Sequence, residues 1–86
     1  MAWQWSNLER VLDPWFVSQS HDDTRSRVLN TMATMAAHPD DLADSRVPGE
    51  SPLVRQLAVL NTKVALVYLR AEQFHTFRLL AIADNR

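Results

Sequence analysis

The chain contains no cysteine. That absence excludes disulfides, thiolate metal sites and a cysteine nucleophile, and it fits a reducing compartment. Glycine is nearly missing as well. Gly49 is the one glycine, so no glycine-rich phosphate loop can form. No apolar run approaches the ~18 residues of a membrane span; stretches such as Val64-Ala65-Leu66-Val67-Tyr68-Leu69 are short. The opening Met1-Ala2-Trp3-Gln4-Trp5-Ser6 has neither the basic segment nor the apolar stretch of a secretory leader. The expectation is a cytoplasmic protein without a membrane partner. An excess of positive charge is lacking too: nine Lys and Arg stand against ten Asp and Glu, whereas a strong nucleic-acid binder is usually more basic.

Metal and triad chemistry are equally poorly supplied. His21, His38 and His75 are scattered, with no His-x-x-x-His spacing and no thiolate to join them. His21 and His38 read as punctuation at helix ends, and His75, between Phe74 and Phe77, as a partly buried ring more readily than a base. The paired acids Asp22-Asp23 and Asp40-Asp41 read as a helix start and a solvated loop, not as converging oxygen ligands. No Ser/His/Asp arrangement stands out. No metal and no cofactor are expected.

What is present is an ordinary globular composition, 47% hydrophobic and 22% charged over 86 residues, enough for one domain. So small a domain has a modest core, and a partner covering apolar surface would add to its stability. The expected division of residues 1–86 is a helical half over 1–38, a connector over 39–52 and a β-meander over 53–86. Trp3 and Trp5 alternate with polar residues as a very short strand. Ser6-Asn7-Leu8-Glu9 is a capping-box pattern, and Leu8, Val11 and Leu12 continue it at helical spacing. Asp13-Pro14 predicts a break within a helix over 7–19. A second helix follows Asp22 or Asp23, carries Val28, Leu29, Met32, Met35 and Ala36 on one side, and ends before Pro39. Pro39, Pro48, Gly49 and Pro52 mark the connector as loop.

The C-terminal third admits two readings. Val54–Leu60, Val64–Arg70 and Phe74–Ala83 are rich in Val, Leu, Phe and Tyr, and are separated by Asn61-Thr62-Lys63 and Ala71-Glu72-Gln73 at hairpin-loop lengths. Thr76 and Arg78 would share one face of the last strand. Against this, Leu53, Leu57, Leu60, Val64, Val67, Ala71 and Phe74 also recur at helical spacing, and neither turn has the glycine that hairpins favour. The charge is uneven: residues 1–52 hold four Arg against eight acids, and residues 53–86 hold five Lys and Arg against two acids. The basic half either faces something acidic or neutralises the other half across one fold.

The order of elements, a short strand, two helices, a Pro-rich connector and three strands, resembles the RelE/ParE-type toxins of bacterial type II toxin–antitoxin systems. Pro52-Leu53-Val54-Arg55-Gln56-Leu57 resembles the family's hydrophobic-Arg-x-Leu strand. Val64-Ala65-Leu66-Val67-Tyr68 resembles its Tyr-Arg-hydrophobic-hydrophobic-Tyr strand, and Phe77-Arg78-Leu79-Leu80-Ala81-Ile82 its last core strand. Two positions depart from the pattern. Ala65 stands where the family's central strand usually carries Arg, and the chain ends Ala83-Asp84-Asn85-Arg86 where RNA-cleaving members tend to have His or a basic cluster.

The resemblance implies an α+β fold and a toxin component held inactive by a cognate antitoxin in a hetero-oligomer, with translating mRNA on the ribosome or DNA gyrase as target. Ribonuclease chemistry of this kind activates a ribose 2′-hydroxyl and stabilises the phosphorane with cations. It would fall here to Arg55, Tyr68 and Arg78, brought together across adjacent strands, with Lys63, Arg70, His75 and Arg86 binding the target. Loss of the Arg at Ala65 weighs against efficient cleavage. Trp3, Trp5 and Trp15 would either meet the antitoxin or close the core; Tyr68 would either stack a base or fill the core with its hydroxyl at the rim. The competing readings are an all-helical interaction or dimerisation module built on the 53–78 stripe, and a toxin-fold co-repressor without activity.

Overall fold

The computed structural model describes residues 3–84. The elements are β1 (Gln4–Ser6), α1 (Leu8–Ser18), α2 (Asp22–Ala37), β2 (Ser45–Arg46), β3 (Val54–Ala58), β4 (Val64–Ala71), a 3-10 turn (Glu72–Phe74) and β5 (Thr76–Asp84). The strands form one sheet in the order β1-β5-β4-β3-β2. The architecture is α+β, and β3, β4 and β5 take up most of residues 54–84, which removes the all-helical reading of the 53–78 stripe.

The expected three-stranded meander is the centre of a larger, mixed sheet. β3, β4 and β5 pair antiparallel. β1 joins the far side of β5 in parallel, Trp5 opposite Phe77, because that register turns the Trp5 ring toward the core. The connector is also not all loop: β2 pairs with β3, Ser45 with Gln56 and Arg46 with Arg55.

Alternation along the strands gives the sheet two faces. Val64, Leu66 and Tyr68 of β4 and Phe77 and Leu79 of β5 are buried with Leu12, Val28, Met32 and Met35 of the helices. Ala65, Val67, Leu69 and Ala71 lie on the other, open face. A register shift between Val67 and Tyr68 leaves Leu80 without a partner on β4, a bulge in β5.

The missing glycines are replaced by residues that tolerate a left-handed backbone. Asn61 takes φ 61° in the β3–β4 turn, which Thr62 closes by donating its hydroxyl to the Val59 carbonyl at 2.8 Å. His75 takes φ 48° after the 3-10 turn. Phe74 therefore lies in that turn, not in β5, and is exposed.

The start of α1 also differs from the expected capping box. Ser6 belongs to β1, and Asn7, left-handed at φ 65°, occupies the cap position without a side-chain cap bond. Its amide nitrogen Nδ2 donates instead to the Leu79 carbonyl at 2.8 Å, tying the helix start to β5. α1 runs unbroken through Pro14. Arg10 and Pro14 lie on the exposed side, where solvent reaches the carbonyl that Pro14 leaves without a donor.

Phe77 is fully buried, with its ring centroid 4.7 Å from Trp3, 5.0 Å from Trp5 and 5.4 Å from Tyr68. Phe77→Ala is expected to cost about 3–5 kcal/mol, comparable with the whole stability of a domain this small. Urea unfolding followed by tryptophan fluorescence should show the cooperative transition lost or moved close to zero denaturant.

Candidate functional site

The polar centre of the molecule is a carboxylate at the rim of the core. Arg55 and Tyr68 are opposite each other on β3 and β4, so both side chains leave the sheet on the face that the helices and connector cover. Tyr68 is fully buried, and its ring packs edge-on against Trp5 and Phe77. Its hydroxyl donates to one oxygen of Asp44 in the connector. Arg55 Nη2 donates to the other at 2.7 Å. The Asp44 side chain is only 9% exposed.

The electrostatics follow from that geometry. Burial alone pushes the Asp44 carboxyl up, but hydrogen bonds from Arg55 and Tyr68 and the charges of Arg55 and Arg70 outweigh it and hold the group below its ordinary 3.8. Burial first, and the Asp44 hydrogen bond and charge next, drive the Tyr68 hydroxyl well above its ordinary 10.0. The hydrogen bond to Asp44 leads the causes that raise Arg55. The centre is thus a carboxylate, a neutral phenol and a guanidinium at any physiological pH. A phenol in this state donates a hydrogen bond and does not act as a base.

Two residues further along β4, Arg70 faces the same side. Its guanidinium lies over the Trp3 ring at 4.7 Å, a cation–π arrangement. It donates to the Pro39 carbonyl at 2.5 Å and to Asp40 at 3.1 Å, and pairs with Glu72 at 2.6 Å. Arg55, Arg70 and Asp44 border a cleft of about 280 Å³ together with Pro52, Leu53 and Glu72.

The open face is different in kind. The registers place Val54, Ala58, Ala65, Val67, Leu69, Ala81 and Ala83 on it. Among the described residues, Arg78, opposite Leu69, is the only cation that the strand registers put there.

No family model and no curated protein matches the sequence. Among solved structures, the isolated E. coli RelE toxin superposes with a TM-score of 0.71, covering 100% of this chain and 86% of that one. The chain has a RelE-like fold. The identity across the RelE match is 14%, so the likeness is one of architecture.

On this RelE-like frame the residues singled out in the sequence separate. Arg55 and Tyr68 meet as expected, but Arg78 does not join them: its partner Leu69 follows Tyr68 on β4 and so points to the opposite side of the sheet. Lys63 is exposed in the β3–β4 turn, seven positions before Arg70 and roughly 20 Å away at the usual strand rise. It borders a separate polar cleft with Gln19, His21 and Thr62. His75 is exposed, its ring 5.6 Å from Trp3, and Arg86 lies outside the described residues. Trp3 is buried, and Trp5 donates its indole N–H to the Met32 carbonyl at 2.9 Å. Trp15 is half-buried against the core. Ala65 faces the open side, opposite Ala58 and Ala83.

Asp44 was the residue the sequence did not reveal. It stands 11 and 24 positions from its partners in a stretch that reads only as acidic loop. The one available signal was the uneven charge, an acidic connector set against a basic C-terminal half. Among the described residues, no group of three or more His, Cys, Asp or Glu is arranged to hold a metal ion, and no helix is long and apolar enough to cross a membrane.

Because the folded-state pKa of Asp44 lies below 3.8, its contribution to stability is complete above that value and is lost as pH falls through the folded-state pKa. Urea midpoints should therefore drop on acidification below about pH 4, and Asp44→Asn should flatten that part of the profile. Tyr68→Phe, which removes a buried donor to a charged acceptor, should cost about 2 kcal/mol at neutral pH.

Proposed function

We propose that this chain is the toxin component of a type II toxin–antitoxin module and that it acts by gripping a protein target, not by cutting RNA. The RelE-like architecture supports the toxin reading. The separation of Arg78 from Arg55 and Tyr68 on opposite faces of the sheet, beside a phenol that stays protonated, carries the choice of mode. A ribonuclease of this fold needs a free base and cations that converge on one phosphate. Here the phenol stays protonated and is no base, the central strand presents Ala65, and Arg78 faces away from Arg55. DNA gyrase, the target of the family's non-cleaving branch, is the corresponding target, in preference to mRNA on the ribosome.

In this reading the cognate antitoxin covers the open face, where the apolar stripe of Ala65, Val67, Leu69 and Ala81 surrounds one cation, Arg78. A mostly disordered acidic segment suits such a surface, since its ordering is offset by apolar burial and by one well-placed ion pair. Trp5 and Trp15, both partly exposed but on the helix side of the sheet, would meet only a part of the antitoxin that wraps round from the open face. Exposed Lys63 and His75, with Arg86, would add to target contact. Arg70, held by Pro39, Asp40 and Glu72 while the connector is in place, would act on this protein target only through the fold.

Induction in a bacterial host is expected to arrest growth. The purified protein should inhibit gyrase supercoiling and leave mRNA intact in a translating extract. Arg78→Ala should weaken inhibition about tenfold, the usual scale for loss of an interface arginine. Sequence-specific mRNA cleavage would overturn the binding mode. Absence of growth arrest in several hosts would overturn the toxin reading in favour of a co-repressor.

A further inference from the structure

The Asp44 carboxylate is held as a bound anion would be. Two sheet residues converge on it, Arg55 Nη2 at 2.7 Å on one oxygen and the Tyr68 hydroxyl on the other. Arg70 adds its charge from the next inward position of β4. An arginine and a hydroxyl acting together on adjacent oxygens are an ordinary way to hold a phosphoryl group. The donors stand on the rigid core of the sheet, whereas the acceptor stands on the connector between Ala37 and Val54.

That connector is lightly attached. Two residues of it pair with the sheet, and Leu42 packs partly against the core. Ala43, Ser45 and Arg46 around Asp44 are exposed. Most of its other side-chain ties to the sheet run through the same cations: Arg55 to Asp44, and Arg70 to the Pro39 carbonyl and Asp40. Beside Asp44, the cleft of about 280 Å³ bordered by Arg55, Arg70, Pro52 and Leu53 opens to solvent. A ligand in that cleft would already lie against both guanidinium groups before Asp44 moved.

We propose that Arg55, Tyr68 and Arg70 form a phosphate-binding site that Asp44 occupies in cis as a removable plug. The ligand class is a compound bearing a phosphoryl or pyrophosphoryl group small enough to enter from the Pro52–Leu53 side. Competition is direct: the incoming phosphoryl oxygens take the two donors, and Asp44, without its partners, leaves for water with the connector. Glu72, which lies outside the connector, keeps Arg70 oriented while the exchange occurs. The site lies on the helix-covered side of the sheet, away from Arg78 and the open face. It thus goes beyond the toxin reading and can fail or succeed independently of growth arrest.

The test titrates inorganic pyrophosphate into the purified full-length protein at low ionic strength, followed by calorimetry and by backbone NMR. Asp44→Asn keeps an acceptor of the same shape but removes the competing charge. It should bind pyrophosphate about tenfold or more tightly than the unaltered protein, the scale of one charge-assisted hydrogen bond. The double change Asp44→Asn with Arg55→Ala should abolish the gain. In the unaltered protein, saturating pyrophosphate should speed amide exchange in residues 39–47 and leave β4 and β5 protected. A folded Asp44→Asn that binds no better overturns the proposal. So does an Asp44→Asn that does not fold, since a carboxylate the sheet cannot do without is a structural ion pair and not a plug. Unchanged exchange in residues 39–47 at high pyrophosphate counts against it in the same way.

Discussion

The seating of Phe77 is the constraint from which the remaining structure follows. Its ring lies where β1, β4 and β5 meet, tilted against Trp3 and Trp5 and at right angles to Tyr68. With Phe77 inward, Leu79 is inward and Arg78 must face the open side. The same choice sets β4, because Phe77 lies opposite Arg70 and Leu79 opposite Tyr68. Tyr68 then enters the core ring first, and its hydroxyl emerges only at the rim. A buried hydroxyl requires a partner, and the connector supplies one in Asp44. A single aromatic contact thus determines which cations are drawn under the connector and which is left on the bare sheet.

Much of this order was legible in the sequence. The span of α2 was visible from the acids that start it and from Pro39 after it, and Asp22–Ala37 is the observed helix. The three C-terminal strands were visible from their β-rich runs, although helical spacing competed and the turns had no glycine. That objection dissolves because Asn61 and His75 take the left-handed backbone themselves. Edges and ends were less legible. A three-residue strand such as β1 has too short a pattern to announce its partner, and Ser6 carries a capping motif in the sequence but joins the strand in the structure. The strand won because the Trp5 ring gains a core position from it, an effect larger than one cap.

The candidate site was legible only in part, for a related reason. That Arg55 and Tyr68 meet follows from hairpin register, a local property. That Arg78 stays apart depends on the parity of one residue across β4 and β5, where a shift of one position exchanges the faces. Asp44 lies beyond any local rule. Its contacts cross 11 and 24 positions, and the segment carrying it has no periodicity from which a direction can be read.

The unequal lengths of β1 and β5 have a further result. β1 covers Thr76, Phe77 and Arg78, while β5 continues to Asp84, so the outer hydrogen-bonding edge beyond Leu79 has no strand beside it among the described residues. A flat edge with that many consecutive apolar side chains would template self-association. The Leu80 bulge falls at the start of this stretch, adding twist and interrupting the regular repeat of backbone donors and acceptors. One surplus residue in the last strand therefore makes this edge a poorer template for a second copy of the chain than an unbroken strand would be.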